Sequence, residues 1–379
     1  MYRPYANELC LNYNRSVGCF IYSTMITDLL AHFTLDSEVT ASGTFGNGLI
    51  NHTWLVETKH KKYILQRIND QVFTNPAAID DNINAISRFL KIHFPGYIFT
   101  APVFSNENKS LIQLNGKGYF RMFEFIAGSK AYTVLENPEL AFEASKQFGR
   151  FTKLLSGFDI NKLKITLPAF HDLKLRYIQF IKAAKDHNND RVKQSQEIIA
   201  ALESYKYIVD IFDSIQQKPS FKKRVTHHDT KISNVLFDEN NKGICVIDLD
   251  TVMPGYFISD VGDMMRTYLS PAGEEETDYS KITVRENYFD AIVQGYLNEM
   301  KDELSTEEKK YFVYAGKFMI YMQALRFITD YFNNDIYYGA SNEFHNLNRG
   351  INQLTLLNIL TGKEAALNKH VTNFINTKS

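Results

Sequence analysis

Between Val225 and Asp263 runs the stretch VTHHDTKISNVLFDENNKGICVIDLDTVMPGYFISDVGD, and its punctuation constrains this chain more than any other segment. An apolar lead-in, Arg224 to Thr226, is followed by His227, His228 and Asp229, and then by Asn234 opening the apolar run Val235 to Phe237. The turn-forming DENNKG (Asp238 to Gly243) joins that run to a second, Ile244 to Asp248, so the pattern predicts a loop feeding a β-hairpin. His227, Asp229 and Asn234 fall into the register H-x-D-x-x-x-x-N, with Asp248 on the following strand.

That register carries the parts of phosphoryl transfer. The reaction asks little covalent work of a protein, so a carboxylate has to accept or orient the hydroxyl proton while Mg²⁺ bridges the nucleotide phosphates. Asp229 is the candidate base. Mg²⁺ takes oxygen ligands and keeps several waters, so the amide oxygen of Asn234 and the carboxylate of Asp248 suffice as the protein's share. Lys231, two residues after the base, is either a positive charge for the transferred group or a solvated loop residue. Asp250 stands two residues after Asp248, on the same face if the strand continues, and is either a second metal ligand or a structural acceptor. Singly, each of these residues is an ordinary turn or cap residue; four in register are a constellation.

The first half reads as strands. FTLDSEVTASGTF, HTWLVET and KKYILQRIN are β-prone, and Gly46-Asn47-Gly48 between the first two predicts a hairpin turn. In a phosphoryl-transfer context this turn, with Phe45 before it, becomes a glycine-rich loop whose backbone amides approach nucleotide phosphates. The template next wants a cation on the third strand, where the usual lysine is absent and Gln66 and Arg67 stand side by side. Alternation sends them to opposite faces, so one of the two meets the nucleotide. Asn75-Pro76 opens a helix to His93 whose Asp81 either pairs with Arg67 or simply favours the helix dipole. Strands Leu111–Asn115 and Tyr119–Ile126 follow, the latter ending in Glu124, Phe125 and Ile126, where an adenine-binding hinge is expected. Beyond Asn137-Pro138 the pattern is helical to about Leu155, then over Asp172–Lys185, Val192–Phe212, Val284–Glu299 and Ser305–Tyr331.

Composition narrows the class. With 42 basic and 43 acidic residues and no basic stripe, nucleic-acid binding is not indicated, and a small-molecule partner is the default. Cys10, Cys19 and Cys245 form neither a disulfide framework nor a zinc spacing, which fits a reducing cytoplasm. No apolar run is long enough to span a membrane. Residues 1–24 lack the form of a signal peptide and read as an extension ahead of a natural start at Met25.

With these residues laid out, the sequence resembles the aminoglycoside-phosphotransferase and choline-kinase-like superfamily, and within it the N-acetylhexosamine 1-kinases. The resemblance runs from Phe33 over GNGLINHTWLV, YILQRIN, RMFEFIAGS, HHDTKISNVLFD, VIDLDTVMPG, DVGDMMRT, RFITDY and HNLNRGINQ. It implies an α+β, two-lobed, protein-kinase-like fold: an extension (1–32), a nucleotide-binding lobe (33–127) with an antiparallel sheet and one helix, and a larger, mostly helical catalytic and sugar-binding lobe (128–379). It implies ATP- and Mg²⁺-dependent phosphorylation of the anomeric hydroxyl of N-acetylglucosamine or N-acetylgalactosamine by a monomer. Asp229 would be the base, Asn234 and Asp248 the metal ligands, and Gly46–Gly48 with Glu124–Ile126 the nucleotide site. His52, Arg326, Asp330 and Tyr337 are candidate sugar ligands, although Arg326 and Asp330, four apart on a helix, would also make a simple ion pair. His227, Asp260 and Arg266 would support the catalytic segment.

Two rivals remain open on the sequence. One is a kinase of the same superfamily acting on an aminoglycoside, choline or an amino alcohol, for which the acidic run GEEETD (Gly273 to Asp278) would attract a cation. The other is a nucleotide-binding pseudokinase, suggested by the missing third-strand lysine.

Overall fold

The computed structural model describes residues 26–46, 50–186 and 189–376. The expectations for the N-terminal extension up to Met25, and for Asn47 and Gly48 of the turn, lie outside them. The chain separates into two compact units, Met1–Gly128 and Ser129–Ser379.

The first unit is built on a five-stranded antiparallel sheet in the order β1-β2-β3-β5-β4, from β1 (Val39–Thr44), β2 (His52–Thr58), β3 (Lys62–Ile68), β4 (Ile112–Leu114) and β5 (Gly118–Glu124). Alternation does the sorting. Trp54, Val56, Tyr63, Leu65, Phe120 and Met122 share one face and pack with Ile26, Leu29 and Leu30 of a helical turn, α1 (residues 26–30), and with Phe33. Ile26, Leu29 and Leu30, within the stretch read from the sequence as extension, therefore contribute to the core, because their apolar side chains cover the sheet face. Helix α2 (Pro76–His93) has the expected bounds: the Asn75 side chain accepts from the Ala78 N–H, Pro76 needs no partner for its nitrogen, and Ile79, Ile83, Ile86 and Leu90 form the buried stripe. Strand β5 stops at Glu124; the Phe125 N–H still donates to the Lys62 carbonyl of β3 at 2.9 Å, and Ile126 follows outside the strand.

The second unit is mostly helical. Helices α3 (Pro138–Leu154) and α9 (Glu286–Met300) pack side by side, close enough that a Cβ at Gly295 would stand 2.3 Å from the Phe142 carbonyl oxygen. The expected helix over Val192–Phe212 is instead three: α5 (Asp190–Gln194), α6 (Gln196–Ser204) and α7 (Tyr207–Gln217), following α4 (Leu173–Ala184). Ser195, at φ −107° and ψ 19°, ends one and opens the next. Helix α8 (Phe257–Tyr268) packs on α10 (Phe312–Phe332), which is buried nearly all round and is the central element of the unit; α11 (His345–Gly362) covers it and α12 (Glu364–Asn376) packs on α9.

Two small antiparallel ladders sit among these helices. Strand β6 (Arg224–Thr226) pairs with β9 (Met253–Gly255), and β7 (Val235–Phe237) with β8 (Gly243–Val246). An antiparallel sheet with a helix in one unit and a helical second unit with a hairpin make the α+β, kinase-like class expected from the sequence.

Candidate active site

Strand β6 delivers the chain into the loop His227–Asn234, which then leads into β7. Its entry is anchored by a buried ion pair: Arg224 Nη1 and Nη2 donate to Glu308 Oε1 at 2.6 Å and Oε2 at 2.9 Å, and Glu308 also accepts the backbone N–H groups of Lys222 and Ser305. The loop itself hangs from α8. Asp260 accepts the N–H of His227 (3.1 Å) and of His228 (2.8 Å), Asp263 accepts the N–H of Thr230 (2.8 Å), and the Tyr268 hydroxyl donates to the Thr230 carbonyl (2.6 Å). This is why acidic residues recur near the N-terminal end of α8: each satisfies backbone donors of a loop that has no ladder of its own.

His228 adopts φ 68° and Asp248 φ 59°, left-handed conformations that non-glycine residues hold only when their surroundings impose them. For His228 the imposition is visible. Asp260 fixes its N–H, His171 Nδ1 lies 3.2 Å from its Nδ1, and the bare α-carbon of Gly255 makes room for its ring, since a Cβ there would stand 2.4 Å from Cε1. Burial, with the neighbouring His227 imidazole acting in the same direction, pushes the His228 imidazole down to about 3, so it is neutral.

Asp229 is a quarter exposed. Its Oδ2 lies 2.9 Å from Lys231 Nζ and accepts the Asn234 Nδ2–H at 3.0 Å. No protein hydrogen bond among the described residues reaches Oδ1. Burial works to raise this carboxyl, but the Lys231 ammonium and the Asn234 amide prevail and hold it below the usual carboxylate range. Lys231 is opposed by burial and favoured by Asp229 and Asp248, with the net effect upward, so the pair is ionised at neutral pH. His227, fully buried, fixes the geometry from behind: Nε2 is 2.9 Å from the Ile247 carbonyl oxygen, and Phe148 and Phe151 pack edge-on against its ring.

Asn234 closes a 3-10 turn (Ile232–Asn234), and its carbonyl accepts the Ile247 N–H at 2.9 Å, which sets it across from the start of the Asp248 segment. The expected strand through Asp248 stops at Val246. Asp248 instead caps a 3-10 turn, Leu249–Thr251, inside which Asp250 is buried. The two carboxylates therefore do not share a strand face, which removes the ground on which Asp250 was paired with Asp248. Asn234 and Asp248 remain a hard oxygen set, suited to Mg²⁺ beside nucleotide phosphates rather than to an all-protein cage. No group of three or more His, Cys, Asp or Glu suited to a metal occurs among the described residues.

Arg266, expected to support the loop, donates from Nε to Asp263 Oδ1 at 3.0 Å and from Nη1 to Glu274 Oε2 at 3.0 Å. Glu274 also accepts from Arg349, and Glu275 pairs with His345. The acidic run GEEETD is thus partly consumed by the protein's own cations.

Three of the four residues expected for the acceptor line one cavity of about 630 Å³, together with Arg176, Gln179 and Lys182. Arg326 and Asp330 do not pair with each other. Arg326 donates to the Tyr337 hydroxyl (3.3 Å) and to Gln323 Oε1 (3.2 Å), whereas the Asp330 oxygens accept the backbone N–H groups of Tyr337 and Tyr338, each at 2.8 Å. Tyr337 is exposed rather than core. The guanidinium of Arg326 also faces Phe170, which stacks on His171, the partner of His228. His171, 57 residues before His228, carries no sequence signal; Asp263 is a second loop acceptor not among the expected supports, and its one sequence signal is its place three residues after Asp260 within the central stretch.

The residues expected at the nucleotide lie in the first unit. Phe45 is exposed and meets Phe125 edge-on at 6.1 Å, Gly46 turns the chain at φ 74°, and Glu124 pairs with Lys61 at 2.7 Å. Gln66 and Arg67 do take opposite faces, Arg67 that of the hydrophobic cluster and Gln66 the other, while exposed His52 stands opposite Arg67 in register.

The profile of the Phosphotransferase enzyme family matches residues 43–304. Among solved structures, an aminoglycoside phosphotransferase from Alicyclobacillus acidocaldarius is 12% identical over 91% of this chain and 95% of its own, with a TM-score of 0.59. Spectinomycin phosphotransferase in complex with ADP and spectinomycin is 15% identical over 90% and 98%, at 0.58. Plasmodium vivax ethanolamine kinase is 16% identical over 93% and 91%, at 0.55.

Proposed function

Because this chain belongs to the Phosphotransferase enzyme family, we propose that it transfers the γ-phosphoryl group of ATP to the anomeric hydroxyl of an N-acetylhexosamine, giving the sugar 1-phosphate. The observation that carries the transfer is the Asp229 carboxylate, held ionised by Lys231 and Asn234 through Oδ2. Oδ1 accepts the acceptor hydroxyl's proton as that oxygen attacks the γ-phosphorus, and the electron pair of the bridging P–O bond leaves with ADP. Lys231 places positive charge beside the transferred group. Asn234 and Asp248 would hold Mg²⁺, which when bound neutralises the nucleotide phosphates. Gly46 and its turn, Gln66, and Glu124–Ile126 serve the nucleotide.

The cavity of Arg326, Asp330 and Tyr337 supports a neutral or electron-rich acceptor. A polyol with an acetamido group needs convergent donors, which the Arg326 guanidinium and Tyr337 hydroxyl provide, and Asp330 shapes the Tyr337–Tyr338 turn that presents them. A cationic acceptor, such as an aminoglycoside or choline, would meet Arg176, Lys182 and Arg326 in the same wall, against Asp186 and Asp330. The test is ADP release with MgATP against N-acetylglucosamine, N-acetylgalactosamine, glucose, galactose, choline and kanamycin. Turnover confined to the acetamido sugars is expected; turnover with choline or kanamycin alone overturns the acceptor assignment.

A further inference from the structure

Kinase-like sites place a lysine on the third strand and an acid on the following helix, and the lysine is missing here. The face of β3 that Gln66 occupies carries a row of cross-strand neighbours instead. Gln66 stands opposite Thr53 on β2 and Arg121 on β5. Arg121 Nε and Nη2 both donate to Gln66 Oε1, at 3.1 and 2.9 Å, and Gln66 Nε2 donates to Thr53 Oγ1 at 3.3 Å. The Phe45 N–H donates to the Thr53 carbonyl at 2.9 Å, so the row lies at the foot of the Gly46 turn.

We propose that Gln66 takes the lysine's place as the donor to the nucleotide phosphates, and that Arg121 is the positioning residue that orients and polarises its amide. An amide whose oxygen is held by two guanidinium N–H groups has only one orientation, because the flipped form would set NH₂ against guanidinium. The amide nitrogen is therefore the end that Gln66 presents, and among the described residues its one hydrogen bond, to Thr53 Oγ1, is long. Arg121 is only 2% exposed and Gln66 is half-buried, so the charge reaches a ligand through the amide rather than by direct contact. Burial raises the carboxyl of Asp80 on α2, while the Ser110 hydroxyl and the Arg121 charge act to lower it.

This proposal rests on the nucleotide-binding part of the function above and is independent of the acceptor. Binding of MgATP and of adenosine to the full-length chain is measured by calorimetry. Arg121→Met is expected to weaken MgATP roughly tenfold, the scale of one charge-assisted hydrogen bond, while adenosine stays within about twofold. Gln66→Met is expected to match it, and Gln66→Lys in the Arg121→Met background to restore most of the loss, because an ammonium needs no polarising neighbour. A merely structural Arg121 predicts the opposite: MgATP and adenosine weaken together and Gln66→Lys rescues neither, which overturns the proposal. If Arg121→Met does not fold, Gln66→Met decides, and an unchanged MgATP-to-adenosine ratio overturns it. A wild-type chain that binds neither MgATP nor ADP overturns the kinase reading itself.

Discussion

Replacing Asp229 by Asn separates chemistry from folding. Asn has the shape of Asp, so the Asn234 contact to the side-chain oxygen is retained, but the amide cannot take a proton at neutral pH. Two terms bear on stability and nearly cancel. The ion pair with Lys231 is lost, yet the side chains of Asp229 and Lys231 are 26% and 43% exposed, so solvent screens the pair. Such pairs contribute below about 1 kcal/mol. Against that, a carboxylate partly stripped of water is removed, and burial had been working against its ionisation. The melting temperature is therefore expected to move by no more than about 2–4 °C in either direction. Loss of a positioned base costs roughly 10²–10⁴ in kcat, or about 3–5 kcal/mol of barrier. MgATP affinity should change little beside that. The assay is steady-state ADP release under saturating MgATP with the best acceptor sugar, run beside thermal unfolding and nucleotide calorimetry. Asp229→Asn turnover within about threefold of wild type, with an unchanged melting temperature, refutes the base assignment, because it falls well short of general-base catalysis.

Other perturbations probe the supports. Glu308→Ala leaves the buried Arg224 guanidinium with the Lys222 and Glu303 carbonyls but no counter-charge, and two backbone N–H groups without their acceptor, and is expected to destabilise by about 3–5 kcal/mol in denaturant titration; Glu124→Ala, in the exposed pair with Lys61, is the control and should cost under about 1 kcal/mol. Gly255→Ala drives a methyl into the His228 ring and is expected to cost about 1–3 kcal/mol, with a loss of kcat larger than the stability change explains, since His228 and Asp229 are adjacent. Burial raises Asp260 from 3.8 to about 6, so the folded chain binds this proton more tightly than the unfolded one. Its contribution to stability is present below pH 3.8 and lost as pH rises through about 6. The melting-temperature advantage of wild type over Asp260→Asn should accordingly be larger at pH 4 than at pH 7, and an advantage that grows with pH contradicts the buried assignment.

Local chemistry was enough to read much of this protein from its sequence. Asn75-Pro76 and Asn137-Pro138 each carry a cap and a pre-set φ, so the starts of α2 and α3 were fixed by two residues. The Asp238–Gly243 turn is equally self-contained, because Asp238 Oδ1 accepts the N–H groups of Asn240 and Lys242. The spacing His227, Asp229, Asn234 was likewise a property of a short loop, and the residues it names do stand together. What sequence order could not supply was partnership across the chain. The break at Ser195, the end of β8 before Asp248 and the burial of Asp250 had no signal in the local pattern. So does the division of Arg326 and Asp330 between separate tasks, which a four-residue helical spacing alone suggested would be one ion pair. The orientation of Gln66 is the sharpest case. Strand alternation says only that Gln66 and Arg67 face opposite ways; it takes β5, paired in register more than fifty residues later, to bring Arg121 onto the Gln66 oxygen and decide which end of the amide is offered. Local sequence sets backbone conformation because its energies are carried by neighbours in the chain, whereas the charge and hydrogen-bond state of a buried side chain is set by whichever groups the fold brings within a few ångströms of it.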